Sequence, residues 1–86
     1  TRAKLVNQRK NELQAAPTLQ TMRNIPAANC HELSGNLNGK LAVDISGNHR
    51  IIFEPNHQPL PLKEDGGLDW SQVTDITIVA IGEDYH

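Results

Sequence analysis

The sequence predicts a small α+β domain, with two helices packed on one face of an antiparallel sheet. Three observations predict it. Apolar residues recur at helical spacing over the first 24 positions. From about residue 30 the period falls to two. The order of elements, helix, helix, then strands, segregates the helices from the sheet. The 86 residues make one such domain, 1–86. Hydrophobic residues are 37% of the chain and aromatic ones 3%, so the core is expected to be aliphatic around Phe53, with Trp70 and Tyr85 at its edges.

The first element is TRAKLVNQRKNELQAA. Ala3, Val6, Leu13 and Ala16 recur at heptad-compatible spacing, with Leu5 beside them, and strong helix formers fill the gaps. Pro17 stops the helix. Thr18 is placed to cap a short second helix that carries Leu19 and Met22 three apart. NIPAAN connects to CHEL, a short strand, and SGNLNGK is a turn.

In KLAVDIS, Leu41, Val43 and Ile45 point one way, and Ala42 and Asp44 the other. HRIIFE follows. If Ile51 and Phe53 share the core face with Val43 and Ile45, then Arg50 and Glu54 face outward with Asp44. That parity predicts a three-residue loop, Gly47–His49, and leaves Ile52 on the polar face to line a cleft or meet a partner. PNHQPLPLKEDGGLDW reads as a long loop, either functional or a solvated excursion. DITIVAI is apolar on both faces and reads as a central or doubly covered strand.

Charge is uneven. Residues 1–24 hold Arg2, Lys4, Arg9, Lys10 and Arg23 against Glu12, whereas the remainder holds three cations against nine acids. This describes a solvated basic helix beside an acidic body, or a basic patch for RNA or an acidic partner. The net charge of −2 argues against tight, non-specific nucleic-acid binding. The single cysteine, Cys30, excludes an internal disulfide and fits a reducing cytoplasm. No apolar run approaches the roughly 20 residues of a membrane span, and no signal peptide is visible. A cytoplasmic location is expected, and a first residue of Thr1 rather than Met leads us to expect chain before it.

The four histidines, His31, His49, His57 and His86, show no metal-ligand spacing, so no metal or other cofactor is expected. Gly66-Gly67 is a turn rather than a phosphate loop. Cys30 and His31, as strand neighbours, point to opposite faces, and Cys30 reads as a small buried apolar residue. His31, Arg50, Asp84, Tyr85 and His86 remain. Each has a plain structural account: a strand histidine bonded to backbone, a cation paired with Asp44 or Glu54, a terminal tail. Together they make coherent chemistry. Histidine suits acid or base work near neutrality. Arginine holds phosphate with two hydrogen bonds. Aspartate fixes a histidine tautomer, and tyrosine stacks on a base.

The run CHELSGNLNGKLAVDISGNHRIIFEP, then KEDGGLDWSQVT, then the terminal DYH, resembles the RelE/ParE superfamily of bacterial toxins, and within it the HigB-type plasmid-maintenance killer proteins. The resemblance covers essentially the whole chain, and its ordered set is HxLxG, NxRIxF and DYH. It implies a small α+β fold with a first strand that this chain lacks, and ribosome-associated cleavage of mRNA without a metal. It also implies neutralisation by a helix-turn-helix antitoxin. His31, Arg50, Asp84, Tyr85 and His86 would be catalytic, with Lys40, Arg50 and Tyr85 on the RNA. Without the first strand, an open sheet edge would favour a homodimer.

Two departures stand out. Family members often carry a lysine three residues after the histidine, where this chain has Ser34. The loop 55–70 replaces a tight hairpin and is acidic at Glu64, Asp65 and Asp69, which would repel phosphate near an RNA cleft. A gyrase-directed branch of the superfamily fits less well than the nuclease branch, given DYH. The expected function is therefore RNA strand cleavage by 2′-hydroxyl attack. The alternative is a non-catalytic member, of the kind given a killer-suppression role, that only binds an antitoxin or operator complex.

Overall fold

The computed structural model describes residues 2–46 and 49–83. One α-helix, α1 (Arg2–Ala15), is followed by 3-10 turns at Leu19–Asn24 and Pro26–Ala28. The strands are β1 (His31–Glu32), β2 (Leu41–Ser46), β3 (His49–Pro55) and β4 (Ile76–Glu83), with further 3-10 turns at Gly35–Leu37 and Trp70–Gln72. The strands form one open antiparallel sheet in the order β1-β2-β3-β4. The α+β class predicted from the change of period is the architecture observed.

α1 ends as Pro17 requires: Ala16 N–H still bonds the Glu12 carbonyl at 3.0 Å, and the next residue has no N–H to continue. Its inward face differs from the expected stripe. Leu13 is buried, Leu5 and Val6 are half-buried, and Ala3 is exposed. Arg9 fills the position between Val6 and Leu13 and is 5% exposed. Its Nη1 pairs with Glu12 Oε1 at 2.9 Å, and its Nε donates to the Asp44 carbonyl at 3.0 Å. The buried guanidinium is thus neutralised and hydrogen-bonded, the condition for keeping a charge inside. Arg9 is therefore removed from the solvated basic face. Arg23 stays exposed, with its guanidinium carbon 4.1 Å from the Trp70 ring centroid.

The second helix is a 3-10 turn rather than an α-helix, and the Thr18 side chain makes no cap bond. Leu19 and Met22 are both buried, since a spacing of three suits the tighter helix as well. Leu19 N–H bonds the Val73 carbonyl at 2.8 Å and so fastens this turn to the segment after Trp70. Trp70 is 5% exposed and belongs to the core rather than its edge; its Nε1–H reaches Glu32 Oε2 at 3.1 Å.

Leu41, Val43 and Ile45 are buried on the helix side with Ile51 and Phe53, as the alternation predicts. The parity is achieved by other means than a three-residue loop. Ser46 pairs with His49, so His49 belongs to β3, and the register shifts between Asp44 and Ser46. This irregularity restores the facing of Asp44 and Arg50. Ile52 lies on the face away from the helix yet is only 8% exposed.

β4 is corrected in position. It is an edge strand, not a central one, with Val79 and Ile81 46% and 45% exposed. The loop 55–70 is likewise more ordered than an excursion. Pro55 ends β3, and Leu62 bridges Leu68. Gly66, at φ +89, closes the turn with its N–H on the Lys63 carbonyl, a backbone shape that favours glycine. His57 Nε2 accepts from Thr74 and Asp75 N–H at 3.0 and 3.3 Å, closing the base of the loop. No helix among the described residues is long and apolar enough to cross a membrane.

Candidate functional site

The face of the sheet away from α1 carries two side-chain rows, fixed by strand register. His31 pairs with Ala42, Ala42 with Ile52, and Ile52 with Ala80. Directly opposite residues share a face. The row therefore runs His31, Ala42, Ile52, Ala80. The next row holds Asp44, Arg50 and Gly82, again in direct register. His31 and Arg50 thus lie on one face in adjacent rows, with small residues beside them on β2 and β4.

Asp44 is the centre of this arrangement. Its Oδ1 lies 3.8 Å from Arg50 Nε, an ion pair too long for a hydrogen bond. Its Oδ2 accepts from Asn29 Nδ2 at 3.1 Å. The Asn29 carbonyl in turn lies 2.6 Å from His31 Nδ1. Arg50 and Asp44 are both half-buried, so the pair is partly desolvated and partly screened.

Of the other expected residues, Lys40 is not brought to this place. It lies four residues from Asp44, about 13 Å along an extended strand. There it lines a cavity of about 180 Å³ with Glu32, Leu41, Leu60, Leu62 and Leu68. The loop over that cavity is the acidic one. It therefore stands at the end of the sheet away from Arg50. Asp69 is spent locally: hydrogen bonds from Ser71 hold its carboxyl below the ordinary range. Asp84, Tyr85 and His86 lie outside the described residues, as do residues 47–48.

Cys30 faces the core side and packs against it, half-buried. Burial pushes its thiol up to about 12, against an opposing pull from Arg23 and with a smaller push from Glu32. That suits an inert packing residue and not a nucleophile. Among the described residues, no group of three or more His, Cys, Asp or Glu gathers to hold a metal ion. Sequence reasoning offered Asp44 or Glu54 as the partner of Arg50, of which the structure shows Asp44, and it missed Asn29. The available signal was that asparagine tolerates left-handed backbone and stands two residues before β1.

The chain matches no family model, no curated protein and no solved structure.

Proposed function

We propose that the protein is a RelE/HigB-like toxin that cleaves single-stranded mRNA. The observation that supports this best is the placing of His31 and Arg50 in adjacent rows of one sheet face, turned away from the helix. The ordered motifs HxLxG and NxRIxF add to it, since they hold these two residues. Cleavage by 2′-hydroxyl attack on the neighbouring phosphorus needs a base, a cation for the charge that builds on phosphate, and an acid for the leaving 5′-oxygen. Arg50 is the phosphate clamp. His31 and His86 are the acid and base. Asp84 orients His86 or contacts the RNA, and Tyr85 positions a base. Lys40 stands apart and serves at most a distal phosphate. The partners in this reading are mRNA on the ribosome and a helix-turn-helix antitoxin, and no cofactor takes part.

A non-catalytic, antitoxin-binding or operator-binding protein is the second reading. Two observations favour it: Ser34 replaces a phosphate-holding lysine, and Arg50 already faces Asp44 at 3.8 Å. Induction in bacteria separates the two. The nuclease reading expects growth arrest, and cleavage of a labelled mRNA in a translating lysate. Arg50→Ala and His31→Ala should relieve the arrest while remaining soluble and folded. A wild-type chain that arrests nothing and leaves mRNA intact removes the nuclease reading.

A further inference from the structure

We infer that Asn29 and Asp44 are a positioning pair that fixes His31 in a single tautomer, with Nε2 as its proton-exchanging atom. What Nε2 then does rests on the nuclease reading; the tautomer itself does not.

Backbone pairing of β1 with β2 covers only His31↔Ala42 and Glu32↔Leu41. Carried back two residues, the same register sets Asn29 opposite Asp44. The backbone ladder cannot continue there, because Asn29 is left-handed at φ 46, ψ 51. Side chains continue it instead, through Asn29 Nδ2 to Asp44 Oδ2 at 3.1 Å. The left-handed turn also brings the Asn29 carbonyl to 2.6 Å from His31 Nδ1.

A main-chain carbonyl can only accept a hydrogen bond. Nδ1 must therefore carry the proton. A neutral imidazole has one ring proton, so Nε2 holds the lone pair. No hydrogen bond occupies Nε2 among the described residues, and the ring is half-buried on the face that Arg50 shares. One carboxylate thus serves both groups: Oδ2 anchors the turn that sets the histidine, and Oδ1 faces the arginine. Charge clamp and proton acceptor are aligned from one side chain, in the manner of outer partners that orient a reacting imidazole.

The test uses the 86-residue chain labelled with 15N. Ring nitrogen–proton correlations at a pH where the imidazoles are neutral report the tautomer of His31 directly. We expect Nδ1–H in the wild type. Asn29→Gly keeps the left-handed backbone available and removes only the side-chain tether. It should convert His31 to a tautomer mixture, and mRNA cleavage should fall by about tenfold, the low end for loss of an orienting partner. Asp44→Ala removes the acceptor and should give the same ring signature, so it serves if Asn29→Gly fails to fold. Predominant Nε2–H in the wild type overturns the inference. So does an unchanged Nδ1–H signal in a folded variant. A shifted tautomer in variants of a protein that never cleaves RNA upholds the positioning pair and removes the nuclease reading alone.

Discussion

Arg9 donates its Nε hydrogen to the main-chain carbonyl of Asp44 across 3.0 Å, from the opposite side of the sheet to the Asp44 side chain. One residue of β2 thus holds the helix by its backbone and the candidate site by its carboxylate. The helix and the site are separate layers joined at this position.

Arg9→Ala should therefore destabilise the protein by about 2 kcal/mol, the scale of a hydrogen bond from a charged donor. It deletes the donor and takes from the half-buried Glu12 its ion-pair partner, leaving Gln8 Nε2 at 3.4 Å. Arg9→Lys should recover part of the loss, because the ammonium keeps the charge but lacks the fixed fork that sets Nε and Nη1 on separate acceptors. Urea denaturation followed by far-UV circular dichroism measures both. A change within ±0.5 kcal/mol for Arg9→Ala would return Arg9 to the solvated face.

Trp70 has two separable roles. Its ring fills the core beneath Arg23, and its Nε1–H satisfies Glu32 at 3.1 Å. Trp70→Phe should keep most of the packing and lose the hydrogen bond, at about 1 to 1.5 kcal/mol. Trp70→Ala should cost about 3 to 5 kcal/mol. Because this is the sole tryptophan, circular dichroism rather than fluorescence follows the variants. Equal losses in both would show that the indole N–H, not the ring, carries the contribution.

Cys30 provides a pH test. Its thiol is raised from 9.0 to about 12 in the folded chain, chiefly by burial. The unfolded chain therefore releases this proton first as pH rises. Stability should fall between pH 9 and about 12 from this group, and be unaffected by it below pH 9. Cys30→Ala should remove that part of the alkaline decline. In native protein at pH 8 the thiol should react far more slowly with an alkylating reagent than in urea. Equal rates in the two states would show that burial does not protect it.

The chain announced some of this and hid the rest for physical reasons. The facing of Leu41, Val43 and Ile45 against Asp44 and Arg50 was legible because a half-buried sheet writes period two into its sequence. Leu19 and Met22 were ambiguous, since three apart fits both an α-helix and a 3-10 turn. Arg9 was hidden because a buried arginine on a basic helix looks like its solvated neighbours until its acceptor, 35 residues away, is known. Asn29 and Asp44, 15 residues apart, meet only through strand register. β4 misled because an apolar strand reads as central whether or not anything covers it.

The last prediction concerns that strand. β4 is the outer strand, and no charged residue or proline interrupts its run from Ile76 to Gly82. Natural edges are commonly guarded by lysine, proline or a bulge. Here only the register shift opposite Ile52 and Phe53, which leaves Val79 as the extra residue, disturbs the edge. A two-fold antiparallel pairing would set this uncharged run against its own copy. An eight-residue edge is only about 27 Å long. The buried area then falls below the roughly 1,000 Å² of a stable interface. Association should accordingly be weak and rise with concentration. Light scattering should give a mass above 9.5 kDa that grows on concentrating the sample. Val79→Lys combined with Ile81→Lys should restore the monomer with little loss of stability, because both side chains are about half exposed. A wild-type chain that stays at 9.5 kDa through its highest soluble concentration would show that the twist and bulge of β4 already protect its edge.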